Sequence, residues 1–191
     1  LSMFSMHGAI YLNIKTEGEL QKQVQGWIKN LYIIFVVLFL FTTGYTLYLR
    51  PEMVSNFSFG RVAHIGVRHA IVDNYTTLVS VIAWLIVLLN LLSIANIPRA
   101  LAKGKVYQCF VSSACTIAAI VFLFAMGIFP NMMVSNMNPE YSLDIYNGAS
   151  TEYTLRTMFL VSVWGLPFVL GYTSLIYWTY RGKTRLSENS Y

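Results

Sequence analysis

Apolar residues in this chain come in runs too long for a water-soluble fold. Four of them, Leu31–Leu49, Leu78–Ile97, Tyr107–Phe129 and Thr157–Tyr180, hold no Asp, Glu, Lys, Arg or His. Each has 19 or more residues, which as a helix rising 1.5 Å per residue covers the roughly 30 Å hydrocarbon core of a bilayer. A fifth stretch opens the chain and reaches only Ile14 before Lys15 interrupts it. Fourteen helical residues rise about 21 Å, short of a crossing. Residues 1–14 are therefore predicted to be the C-terminal end of a truncated transmembrane helix. A signal peptide fits poorly, because no basic segment precedes the stretch and no small-residue cleavage site follows it.

The predicted boundaries have physical causes. Pro51 and Pro98 follow the first two complete runs and Pro130 the third, and proline cannot continue a helical hydrogen-bond ladder. Ser150 or Thr151 can cap the last helix, with Glu152 near its positive end. Pro167, between Gly165 and Gly171, is expected to kink it. The predicted fold is all-α and integral to the membrane. Residues 31–180 carry four complete transmembrane helices, joined by a cytoplasmic turn at 15–30 to the end of a fifth. A cytoplasmic tail occupies 181–191.

Charge orients the spans. Only 11% of residues are charged against 56% hydrophobic, and the net charge is +5. That excess does not form a nucleic-acid patch, because it is parcelled out between the apolar runs. Lys15, Lys22, Lys29, Arg99, Lys103, Lys105, Arg181, Lys183 and Arg185 fall in alternate segments, against Arg50, Arg61, Arg68 and Arg156 in the others. Nine against four, with every lysine in the nine, assigns the first set and the C-terminus to the cytoplasm. The loops at 50–77 and 130–156 are then expected to face outward. Tyr45, Tyr48, Tyr177, Trp178 and Tyr180 suit interfacial aromatic belts.

Candidate chemistry is sparse. His7 is the one ionisable residue expected at membrane depth. It suits a proton relay or a haem ligand, or more plainly a neutral histidine bonded to a neighbouring helix. No carboxylate in the spans would complete a relay. His64 and His69 stand in a loop beside Arg61, Arg68 and Asp73 without the Cys or Glu of a metal set, and read as solvated. Cys109 and Cys115, six residues apart within one run, would lie on different helix faces and cannot pair; both read as small packing residues. Asn56-Phe57-Ser58 and Asn74-Tyr75-Thr76 match a common glycosylation pattern. Ser112, Cys115, Thr116 and Ala119, at i, i+3, i+4 and i+7, form a strip along which another helix can approach closely. No phosphate-binding glycine loop, paired-cysteine motif or metalloprotease motif is present. No catalytic, cofactor-binding or metal-ligating residue is assigned.

Three stretches resemble one family. The first runs from His7-Gly8 through Tyr11-Leu-Asn-Ile14 into Lys15-Thr16-Glu17-Gly18-Glu19-Leu20-Gln21. The second comprises Phe129-Pro-Asn-Met-Met133, Ser142-Leu143, Asn147-Gly-Ala-Ser-Thr151 and Tyr153-Thr-Leu-Arg-Thr-Met158. The third is Leu166-Pro-Phe-Val-Leu-Gly-Tyr-Thr173 with Tyr177-Trp178 and Arg181-Gly-Lys183. In that order they resemble the C-terminal half of subunit II of the cytochrome bd-type quinol oxidases, the cyanide-insensitive oxidases included.

The resemblance implies a multi-pass protein of the prokaryotic cytoplasmic membrane, the end of the fifth helix and all of helices six to nine of a nine-helix subunit, with residues 31–180 forming a four-helix transmembrane bundle and the fifth helix peripheral to it. It implies a heterodimer with subunit I, with small accessory membrane subunits as further candidate partners beside the lipid itself. Haem b and haem d are then held by subunit I, and quinol is the substrate of the complex, which reduces dioxygen to water. This chain would carry no haem and would support assembly of its partner. The competing readings are half of a secondary transporter, which calls for broken helices with polar groups at mid-membrane, and a membrane scaffold or assembly protein.

Overall fold

The computed structural model describes residues 1–49, 51, 72–129, 131–133, 135, 137–138, 141–145 and 147–183. They form two units, Leu1–Phe129 and Pro130–Lys183. The first contains α1 (Ser2–Lys15), α2 (Gly18–Leu49), α3 (Val72–Ala102) and α4 (Val106–Ile128). The second contains two short strands, β1 (Asn131–Met133) and β2 (Leu143–Asp144), and α5 (Glu152–Thr179). Four segments are long and apolar enough to cross a membrane: Gly18–Leu49, Ser80–Ala102, Val106–Ile128 and Glu152–Thr179. The chain is an all-α integral membrane protein.

Inside the first unit α1 packs against α2 and α4, and α3 packs along α4. Met6, Ile10 and Asn13 of α1 are fully buried, an i, i+4, i+7 stripe that faces the neighbouring helices. Met6 and Ile10 join Val24, Ile28, Phe35, Ile94, Ile97, Ala100 and Cys109 in one core. The helices that associate here are α1 to α4, and α1 contributes two of the largest buried side chains.

What is buried and what is exposed follow the physics of lipid. Ser80, Asn90, Ser93, Ser112, Ser113 and Thr116 are buried, while Leu85, Leu88, Leu91, Leu92, Val121 and Phe124 face outward. Leucine gains little by leaving one apolar medium for another. Small side chains that let backbones approach, and hydroxyls that find partners, hold such helices together.

Two boundaries differ from expectation. Segment 15–30, read as a turn, is helical from Gly18 onward; the bend is confined to Thr16 and Glu17, and Gly18 takes φ +68°. Pro98 does not end its helix but lies inside α3. The stop comes at Gly104, whose φ is +67°. There the Gly104 N–H bonds Leu101 O (3.1 Å) and the Lys105 N–H reaches back to Ala100 O (2.9 Å). These crossed bonds need a left-handed residue, which glycine adopts without strain.

In the second unit Thr151 caps α5, its Oγ1 accepting from the Thr154 N–H, and Glu152 occupies the first turn. The helix is continuous through Pro167. Strands β1 and β2 pair antiparallel, Asn131 with Asp144 and Met133 with Leu143; no expectation covered them. Asp144 and Asn147 lock the turn that follows. The Asp144 N–H donates to Asn147 Oδ1 (2.7 Å) and the Asn147 N–H to Asp144 Oδ1 (2.6 Å). A Cβ on Gly148 would sit 3.1 Å from Asp144 O, so the turn favours glycine there.

Candidate functional site

The charged motif after α1 builds an elbow. Thr16 closes the helix twice over: its N–H and its Oγ1 both donate to Leu12 O (3.0 and 2.9 Å). Gln21 Nε2, from the first turn of α2, donates to Asn13 O (3.1 Å). Helix ends leave carbonyls unpartnered, and at a membrane edge these two side chains satisfy them. The buried Asn13 Oδ1 takes a long bond from Gln25 Nε2 (3.4 Å). Glu19 pairs with Lys22 (2.9 Å) on the exposed surface. Lys15 lies over the Tyr11 ring, 5.6 Å from its centroid. Gly8 has no atom within 4 Å of where a Cβ would stand.

His7 lies about two and a half turns before the elbow and reaches α4. Ser113 Oγ donates to Phe110 O (2.8 Å). Its oxygen is thereby left to accept, which makes His7 Nδ1 the donor in the 2.7 Å contact between them. The imidazole stacks on Phe110 at 4.7 Å between centroids. Its proton-bearing nitrogen therefore points into a short chain of bonds that ends on a backbone carbonyl. A carbonyl has no proton of its own to pass on, so this side of the ring is an anchor between α1 and α4.

The strip on α4 lies against α3. Ser112, Thr116 and Ala119 are buried and Cys115 half-buried. Asn96 Nδ2 of α3 donates to Ser112 Oγ (2.9 Å), and Cys109 Sγ contacts Ile97 O (3.7 Å). Thr116 Oγ1 donates to Ser112 O within its own helix (3.0 Å). Cys109 and Cys115 are free thiols. Sequence reasoning missed Asn96 and Asn90 on the α3 side of this seam, and Ser113, which holds His7. Ser113 stands beside the marked strip on α4, whereas Asn96 stands on α3, where no small-residue spacing had marked it.

Other candidates divide plainly. His64, His69, Arg61, Arg68 and Asn56 lie outside the described residues. Asp73 and Asn74 fall in the first turn of α3. Among the described residues, no group of three or more His, Cys, Asp or Glu is placed to hold a metal ion.

The sequence matches the family described as cytochrome bd terminal oxidase subunit II over residues 1–180. The chain belongs to that family. Among curated proteins it is 27% identical to cytochrome bd-I ubiquinol oxidase subunit 2 of Escherichia coli (strain K12), over 96% of this chain and 50% of that protein. It is 24% identical to cytochrome bd ubiquinol oxidase subunit 2 of Bacillus subtilis (strain 168), over 95% of this chain and 47% of the relative. A probable cytochrome oxidase subunit 2 of Haemophilus influenzae is 26% identical over 94% and 48%. The chain thus spans about half the length of the curated relatives it matches. The family match runs through the elbow, the polar seam and α5 alike, so each of these belongs to a cytochrome bd subunit II architecture.

Proposed function

We propose that this chain is the C-terminal half of subunit II of a cytochrome bd-type terminal oxidase, a complex that oxidises quinol and reduces dioxygen to water. It carries no haem of its own and supports assembly and stability of the haem-bearing subunit I. The observation that supports this reading is the family match along residues 1–180. The interior adds to it. Polar side chains there join one helix to the next or close a helix end, as in His7 with Ser113, Asn96 with Ser112 and Thr16 with Leu12 O. Haem iron takes His, Met, Cys or Tyr as an axial ligand. His7 ties α1 to α4 through Nδ1 and keeps the lone pair of its Nε2, so haem content has to be measured, and Met158 lies on the exposed surface of α5.

The reading includes a heterodimer with subunit I and a C-terminus on the cytoplasmic side of a prokaryotic cytoplasmic membrane. Quinol is the substrate of the complex and haem b and haem d belong to the partner. The test is to express the operon with an affinity tag on this chain and purify in mild detergent. A haem-bearing partner should co-purify and show a d-type absorbance band. A colourless preparation containing this chain alone would overturn the reading in favour of a transporter half or a scaffold.

A further inference from the structure

Two buried side-chain polar atoms of the first unit have no hydrogen-bond partner among the described residues, Asn13 Nδ2 beside the elbow and Asn90 Oδ1 in mid-span. Asn90 lies in the membrane span of α3 and is 3% exposed. A buried amide oxygen in hydrocarbon without a donor is costly, and such atoms are nearly always satisfied.

The register of the α3–α4 seam shows what lies opposite. Ile97 meets Cys109. Seven residues farther from the turn along each helix, about 10 Å by the helical rise, stand Asn90 and Thr116. The second contact, Asn96 with Ser112, gives the same layer to within about 3 Å. Thr116 is fully buried, and its hydroxyl proton is committed to Ser112 O. Its oxygen therefore offers only lone pairs. The register thus puts two buried acceptors in one layer of a seam whose neighbouring positions, Ala83, Ser93, Ser112 and Ala119, are small.

We propose that the α3–α4 seam binds a water molecule between Asn90 and Thr116, donating one hydrogen to Asn90 Oδ1 and the other to Thr116 Oγ1. The chemistry selects this ligand. Two acceptors need a molecule with two donors. Asn90 is too enclosed for a side chain arriving from outside the unit. A metal cation would require several more oxygens than two. Buried waters serve polar groups that the protein leaves unpaired. Bound here, the water ties α3 to α4 in mid-span, where the small-residue strip brings them close. The proposal rests on the seam alone and stands or falls independently of the oxidase reading.

The decisive measurement is a density map of the assembled complex at a resolution that shows ordered water. Density is expected within about 3 Å of both Asn90 Oδ1 and Thr116 Oγ1. A map of that quality with no density there overturns the proposal. Variants supply a second line. Asn90→Leu and Thr116→Val should each lower the melting midpoint of the purified complex by a few degrees. One water serving both groups makes the double variant no worse than the poorer single. A higher midpoint for Asn90→Leu would mean that the oxygen was simply stranded, and strictly additive losses would mean that no ligand is shared. Either result counts against the bridge.

Discussion

The Tyr32 hydroxyl donates to the backbone carbonyl of Ile94 at 3.2 Å, and that carbonyl is the one left without its usual donor by Pro98. In a regular helix the N–H four residues on would fill it, and proline has none. Tyr32 reaches across from α2 and supplies the missing hydrogen. This contact accounts for a proline tolerated inside α3, where a helix end was expected.

Tyr32→Phe should therefore lower the stability of the assembled complex by about 0.5–1.5 kcal/mol, the range for a hydrogen bond of this kind. A double-mutant cycle identifies the cause. Pro98→Ala restores an N–H for Ile94, so the Tyr32→Phe loss should shrink markedly in that background. Thermal unfolding of the four variants measures the coupling. An equal loss in both backgrounds would show that Tyr32 acts through packing alone.

His7 and Ser113 form the corresponding tie between α1 and α4. Ser113→Ala leaves the imidazole N–H with no acceptor in a low-dielectric setting and should cost on the order of 1 kcal/mol. His7→Phe removes the donor, keeps an aromatic ring to stack on Phe110, and should cost less. Haem content per assembled complex should be unchanged in His7→Phe. Loss of one haem with the complex still assembled would instead make His7 a ligand.

How much of this was legible in the sequence depends on how local each cause is. The four spans follow from uninterrupted apolar runs, and the Thr151 cap follows from a side chain beside the helix it serves. Thr16 and Gly18 could be named as parts of a motif, but their reasons, a closed helix end and a left-handed backbone, are visible only in three dimensions. Pro98 misled because the rule that proline breaks helices is local, while the group that offsets the break is 66 residues away at Tyr32. The β1–β2 pairing and the Asp144–Asn147 lock were invisible for the same reason. Each is too short for a periodicity and depends on residues across a turn. Asn90 carries no charge to mark it in an apolar run, and its burial without a donor depends on the neighbouring helices, although an unpaired amide is costly in lipid.

Gly104→Ala tests the glycine cap of α3. A left-handed alanine costs roughly 1–2 kcal/mol, with nothing within 4 Å for the new methyl to strike. The loss should therefore be purely conformational. Gly104→Asn should recover part of it, since asparagine tolerates this backbone region better. Melting midpoints ranked Gly, Asn, Ala would agree; equal values for all three would mean that the turn relaxes.

Sidedness can be read directly. Lys15 and the Arg99–Lys105 turn lie at the same end of the first unit, because His7 meets Ser113, Tyr11 meets Phe110 and Ile97 meets Cys109. The proposed topology puts that end in the cytoplasm, the side where basic residues collect. Reporter fusions at Tyr191 and Asn138 should accordingly report cytoplasmic and outward locations. Identical sidedness at both sites would contradict the span count.

The last prediction concerns the close approach of α3 and α4. Ala119 is 4% exposed and Val121, two residues on, is 59% exposed. They share a helix and nearly a depth, so they differ mainly in what they face. Leucine at 119 must fit between two backbones that Ser112, Thr116 and Ala119 allow to lie close. Overpacking of this kind costs roughly 1–3 kcal/mol, and no hydrophobic gain offsets it, because lipid already solvates leucine well. Leucine at 121 meets lipid and should be silent. Ile120 is a poorer control, since it packs partly against the core. Haem-containing complex recovered per unit of membrane should fall for Ala119→Leu and hold for Val121→Leu. Equal recovery would mean that the strip does not set the helix separation, and the polar contacts at Asn96 and Ser112 would then have to hold the pair by themselves.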